Sequence, residues 1–151
     1  MSLRDLYVYE AGVEWTGRRN GRLAAEGLPP MTISSPPEFS GEPGQWTPEH
    51  MLAGATASCL MASILAIAEF MKLRIASCKV RVTAKLEKVP GEGYRFTEVT
   101  LAPEIGVAAE DFEKAQKVLA KAEKGCFISN SLRAAVKVEP RLVPVSSELT
   151  R

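Results

Sequence analysis

Between Met51 and Ala68 the chain runs for eighteen residues without a charge, MLAGATASCLMASILAIA. That is the length at which a membrane-crossing helix becomes a candidate. The composition of the run argues against one. Ala, Gly, Ser and Thr occupy most of it where a membrane span would carry Leu, Ile and Phe, there is no aromatic belt, and no Lys/Arg cluster marks a cytoplasmic side close by. A helix without a polar stripe belongs inside a protein, so the segment is expected to be a soluble-protein helix buried on nearly all sides. A chain of 151 residues can barely surround such a helix, and a partner subunit is expected to help cover it.

The rest of the composition is ordinary for one globular domain, expected to span 1–151. Hydrophobic residues make up 46% and charged residues 25%, which argues against wholesale disorder. A chain of this length buries roughly 70% of its unfolded surface and needs no disulfide staples. Nineteen basic and eighteen acidic residues leave a net charge of +1. With no basic excess, a nucleic-acid partner has little support. The three cysteines, Cys59, Cys78 and Cys126, form no CxxC pair, and His50 is the only histidine, so neither a metal nor another cofactor is expected. Few, widely spaced cysteines suit the cytoplasm better than secretion. The start, MSLRDLYVYEAGVEW, lacks the long apolar stretch of a signal peptide.

Local patterning gives the order of elements. Leu6 to Trp15 reads as a strand, Asn20-Gly21 as a hairpin turn, and Arg22 to Ala25 as the return strand. Met31 to Ser34 reads as a short strand and Pro36 to Trp46 as a loop. Thr47 is a good N-cap, Pro48 suits the first helical position and Glu49 complements the helix dipole, so a helix is predicted from there to about Lys72. Cys78, Val80, Val82, Ala84 and Leu86 alternate with polar residues, the mark of a half-buried strand. Pro90 to Gly93 is a turn, and Tyr94 to Leu101 returns. Ala108 to Lys124 carries a helical apolar stripe, with Gly125 as its stop. Cys126 to Arg133 reads as a short helix or turn. Ala134, Val136 and Val138 form a last strand, and the tail after Pro144 is expected to fray. The order argues an α+β domain.

On position alone each cysteine has an unremarkable role. Cys78 belongs to an alternating apolar face, Cys59 sits in the middle of a buried helix, and a free cysteine commonly behaves as a small buried hydrophobe. Cys126 follows a helix stop, a boundary where a cysteine is expected to be more accessible, although position alone cannot make it reactive. A wider pattern changes this reading. Pro37-Glu38-Phe39-x-Gly41, then Thr47-Pro48-Glu49-x-x-Leu52, then Ala57-Ser58-Cys59, and later Cys126-x-Ile128-Ser129-Asn130-Ser131-Leu132, together resemble the OsmC/Ohr family in that family's order. The resemblance implies an intertwined α+β homodimer, with antiparallel sheets around two long central helices. It also implies a thiol-dependent peroxidase that reduces organic hydroperoxides or hydrogen peroxide. Cys59 would be the peroxidatic cysteine, Cys126 the resolving one, and Glu49 the active-site glutamate. The family's thiolate-holding arginine matches Arg19 best, with Arg18 and Arg22 close by as alternatives. An external dithiol, in relatives often lipoyl-linked, would reset the enzyme.

Elementary chemistry constrains those roles. A peroxidatic cysteine attacks as the thiolate, makes a sulfenic acid, and is resolved by a second thiol. The helix dipole fades within the first turn, so the helix cannot activate Cys59 unaided. A cation from elsewhere is needed, the role expected of the arginine. Glu49 lies ten residues before Cys59, about 15 Å of rise and about 80° of rotation away along one helix. A partner's antiparallel helix would bring a second Glu49 to Cys59, so the spacing favours a site shared between subunits. The rival readings are a non-enzymatic dimer of the same fold that binds a small apolar ligand, and a membrane-anchored protein. His50, alone in a first helical turn, is given no role.

Overall fold

The computed structural model of the chain describes residues 5–150. Its backbone forms two compact units, Met1–Met51 and Leu52–Arg151.

The first unit holds an antiparallel meander of β1 (Gly12–Gly17), β2 (Asn20–Ala24) and β3 (Met31–Ser34), in that order. The β1–β2 hairpin turns two residues earlier than Asn20-Gly21 suggests. Gly17 pairs with Asn20, so Arg18 and Arg19 form the two-residue turn and Asn20-Gly21 belongs to the return strand. Arg18, the first turn residue, takes a positive φ of 49°, and Gly17 just before it has φ 127°. Asn20 Nδ2 donates to Glu42 Oε2 at 2.6 Å in an exposed hydrogen bond. The expected strand from Leu6 is likewise later, starting at Gly12, and Leu6 and Tyr9 stand exposed. After β3 the chain makes a short 3-10 turn at Pro37–Phe39 and folds back, so that Ser34 N donates to Trp46 O at 2.9 Å. Gly41 makes this fold possible, since a Cβ there would lie 1.5 Å from Ser35 O.

Helix α1 (Pro48–Phe70) begins where the sequence places it. Thr47 caps it: Met51 N donates to Thr47 O at 2.9 Å and His50 N to Thr47 Oγ1 at 3.2 Å. It ends where Lys72 turns to φ 56° and Leu73 N reaches back to Ala68 O at 2.8 Å. Its burial differs from the expectation. Only Thr56, Ala57, Leu60, Ile64 and Ala68 are buried, one stripe at helical spacing, while Met61, Leu65 and Phe70 are exposed. One layer of sheet can cover only one side of a helix, and the helix is long and apolar enough to cross a membrane by length and composition.

The second unit packs that stripe into a core with a four-stranded sheet. β4 (Ser77–Val89) and β5 (Gly93–Ala108) form a long antiparallel hairpin, and β6 (Ala135–Val138) and β7 (Arg141–Val145) both run parallel to β5 along its other edge. Val99, Leu101, Ile105 and Val107 alternate inward along β5 and are fully buried. Helix α2 (Phe112–Gly125) adds Ala115, Val118, Leu119 and Ala122 to the same cluster. Burying a side chain such as Ile64 or Leu101 is worth about 1.5–3 kcal/mol.

Two sequence expectations need correction here. β5 does not stop at Leu101 but runs through Pro103. β6 pairs with 98–101 and β7 with 104–108, and Leu101 O accepts from Glu139 N at 2.8 Å toward that edge. Two residues on, Pro103 faces the same edge in the interval between β6 and β7, where no ladder donor is required. Nor does the chain fray after Pro144. Pro144 lies within the edge strand β7, and a 3-10 turn follows at Ser147–Thr150.

Candidate functional site

Cys59 sits in the second half-dozen residues of α1, half-buried, beside the fully buried Leu60. Cys126 sits between α2 and α3 (Phe127–Ser131), with φ −71° and ψ 110°. This extended conformation breaks the helical run and makes Cys126 the N-cap of α3, its carbonyl accepting from Asn130 N at 3.0 Å. Asn130 Nδ2 donates to Lys124 O at 3.0 Å and ties α3 back to the last turn of α2.

The Cys126 thiol is fully buried, and Ser129 Oγ donates to its Sγ at 3.2 Å. Cys126 is part of the core cluster, and Cys59 packs against that cluster. A cavity of about 170 Å³ lies alongside, lined by Leu60, Glu123, Ser129, Asn130, Val136 and Val138. The residue after Cys59 and the residue bonded to Cys126 thus face one space. Both thiols are free. Cys78, also free, lies on the inward face of β4, where burial pushes its thiol upward.

Glu49 and Arg19 belong to the first unit. Glu49 is half-buried in the first turn of α1, and its Oε2 is buried without a hydrogen-bond partner. A carboxylate oxygen away from water and unpaired is costly. Arg19 occupies the hairpin turn and lines a cavity of about 210 Å³ with Arg18, Asn20, Ser40, Gly41 and Glu42. This corner is braced by the Asn20–Glu42 hydrogen bond and by Glu42 N donating to Ser34 Oγ at 3.0 Å. Among the described residues, no group of three or more His, Cys, Asp or Glu side chains could hold a metal ion.

Some contributors were not legible in the sequence. His50 bonds Thr47 Oγ1 through Nδ1 at 2.8 Å and meets Trp46 edge-on, with centroids 6.4 Å apart. It reinforces the cap of the helix that carries Glu49 and Cys59. Ser129 is the other. Its signal is a hydroxyl three residues after a cysteine at a helix start, where N-cap and N3 side chains meet.

A family model described as OsmC-like protein matches residues 41–141. The chain is 28% identical over 132 residues to the uncharacterized protein YmaD of Bacillus subtilis (strain 168), covering 83% of this chain and 86% of that protein. Over 104 residues it is 26% identical to peroxiredoxin OsmC of Escherichia coli (strain K12), covering 69% and 71%. The crystal structure of an organic hydroperoxide resistance protein OsmC from Legionella pneumophila superposes with a TM-score of 0.75 at 27% identity, covering 94% of this chain and all of that one, 100%.

Proposed function

Because the chain belongs to the OsmC-like protein family, we propose that it is a thiol-dependent peroxidase that reduces hydroperoxides through Cys59 and Cys126. The Cys59 thiolate attacks the terminal peroxide oxygen. The O–O bond breaks, Cys59 becomes a sulfenic acid, and the departing alkoxide leaves as the alcohol after taking up a proton. Cys126 then attacks the sulfenic sulfur, forming a disulfide and releasing water. An external dithiol reduces that disulfide and is itself oxidised, which closes the cycle.

The observation that carries the reading is the placement of the two thiols. They come from distant parts of the sequence and pack on one core cluster, and Leu60, next to Cys59, and Ser129, which donates to Cys126, line one cavity. The apolar neighbours of Cys59 on α1, Leu60, Met61 and Ile64, suit an organic peroxide. The orphaned oxygen of Glu49 supports its pairing with a guanidinium, for which Arg19 is our assignment. Such a pair would hold the arginine against the thiolate and leave the glutamate to accept from the peroxide hydroxyl.

The working unit in this proposal is a homodimer. The exposed face of α1, with Met61, Leu65 and Phe70, is apolar surface that a second copy of the chain would cover. Each site then draws its cysteines from one chain and its Glu49 from the other, as the ten-residue spacing along α1 favours.

The test is hydroperoxide consumption by the reduced protein with a dithiol present. Wild type turns over, and Cys59→Ser does not, because no other side chain replaces the attacking thiolate. Full turnover by Cys59→Ser would sink the assignment. Binding of an apolar compound without consumption of any peroxide would favour a non-enzymatic dimer instead.

A further inference from the structure

Three other hydroxyls in the helices of this unit, on Thr56, Ser58 and Ser131, turn back to the carbonyl four residues earlier, each at 2.8 Å. That is the usual habit of helical Ser and Thr. Ser129 does otherwise. Its hydroxyl crosses from the third position of α3 to the sulfur of the N-cap residue, Cys126, at 3.2 Å. The thiol is fully buried, whereas Ser129 is half-buried and lines the cavity that also carries Glu123 and Asn130.

Resting on the peroxidase reading above, we propose that Ser129 is the positioning residue for the resolving thiol. It holds Cys126 Sγ in place and stabilises it as the thiolate during attack on the Cys59 sulfenic acid. A neutral thiol is a weak acceptor, while a thiolate is a charged one, so the bond strengthens as the proton leaves. The step balances without a further reagent. Cys126 loses its proton, its sulfur displaces hydroxide from the sulfenic sulfur, the S–S bond forms, and hydroxide takes up the proton as water. Ser129 keeps its own proton throughout. The cavity beside it, lined by polar groups of Glu123 and Asn130, gives the departing proton a route away from the buried sulfur.

Single-turnover kinetics on the full chain separate this step from the first one. Reduced wild type, Ser129→Ala and Ser129→Thr are each mixed with one equivalent of cumene hydroperoxide. The sulfenic acid at Cys59 is trapped with dimedone, and the disulfide is quantified by mass spectrometry at successive times. Formation of the sulfenic acid is expected at the wild-type rate in both variants. Its conversion to the disulfide is expected to slow roughly tenfold in Ser129→Ala and to recover to within about twofold in Ser129→Thr, as loss and retention of one hydrogen bond to a charged acceptor require. If Ser129→Ala resolves as fast as wild type, or if Ser129→Thr is as slow as Ser129→Ala, the role of Ser129 falls and the peroxidase reading stands. If wild type itself forms no sulfenic acid, the peroxidase reading falls and takes this role with it.

Discussion

Leu65 gives the most direct way to measure what covers the open side of α1. It keeps 43% of its surface in one chain, although its neighbour Ile64 keeps none. Complete burial of a leucine is worth about 1.5–3 kcal/mol, so covering the remaining 43% is worth about 0.6–1.3 kcal/mol per copy. A two-fold interface presents the same patch twice, which raises the total to about 1.3–2.6 kcal/mol. Leu65→Ala should therefore weaken the dimer by about tenfold to eightyfold, with little change in the stability of each chain. Sedimentation equilibrium over a dilution series reads the dissociation constant, and denaturant unfolding reads chain stability. Ile64→Ala is the contrast. It should leave a cavity in the core and cost about 2–5 kcal/mol of chain stability. A dissociation constant unchanged by Leu65→Ala, or a wild-type protein that is a well-folded monomer at micromolar concentration, would refute the reasoning.

Mixed dimers of a Cys59→Ser chain and a Glu49→Ala chain should be more active than either parent homodimer, because one site then combines an intact Cys59 with the partner's intact glutamate. Provided that the Glu49→Ala parent is itself strongly impaired, purified mixed dimers no better than the parents would contradict a shared site. Cys78→Ala should lose about 1 kcal/mol of stability and no peroxidase turnover, since the thiol faces the core from β4; loss of dithiol-driven turnover with the fold intact would make Cys78 the resolving cysteine. Glu98 bonds Lys137 and Lys85, and these two ammonium groups hold its carboxyl down from 4.5 to about 2. A lowered folded-state value stabilises the fold above pH 4.5, and that contribution is lost as pH falls through about 2. Circular dichroism during acid titration should accordingly show wild type losing more stability over that interval than Glu98→Gln, and parallel titrations would mean the two ion pairs contribute nothing.

Local chemistry was the part of the fold that the sequence displayed. Thr47-Pro48-Glu49 announced the start of α1, the alternation from Cys78 to Leu86 announced β4, and the stripe through Ala115, Val118, Leu119 and Ala122 announced α2. What it concealed depends on partners distant in sequence. Pro103 looks like a strand breaker until β6 and β7 are seen to share one edge of β5 and leave an interval opposite it. Asn20-Gly21 looks like the hairpin turn until Gly17 is seen to pair with Asn20, which leaves the turn to Arg18 and Arg19. That one chain would leave part of α1 uncovered was expected from its length, but which face stays open was not, because periodicity cannot say which side of an uncharged helix a single chain covers. Within the candidate site, Cys59 and Cys126 were nameable from their motifs, while Ser129 carried only the signal of a hydroxyl three residues after a cysteine at a helix start. Arg19 and Glu49 were picked out by motif too, and their joint role with the thiols is part of the proposal.

The central claim is that Cys59 and Cys126 form one redox pair. It is tested most directly by mass spectrometry of peptides from the reduced protein after one equivalent of cumene hydroperoxide. The account predicts a Cys59–Cys126 disulfide in wild type, and in Cys126→Ser a trappable sulfenic acid at Cys59. Oxidation at Cys78, a disulfide that omits Cys59, or a protein left fully reduced with its peroxide unconsumed would contradict it.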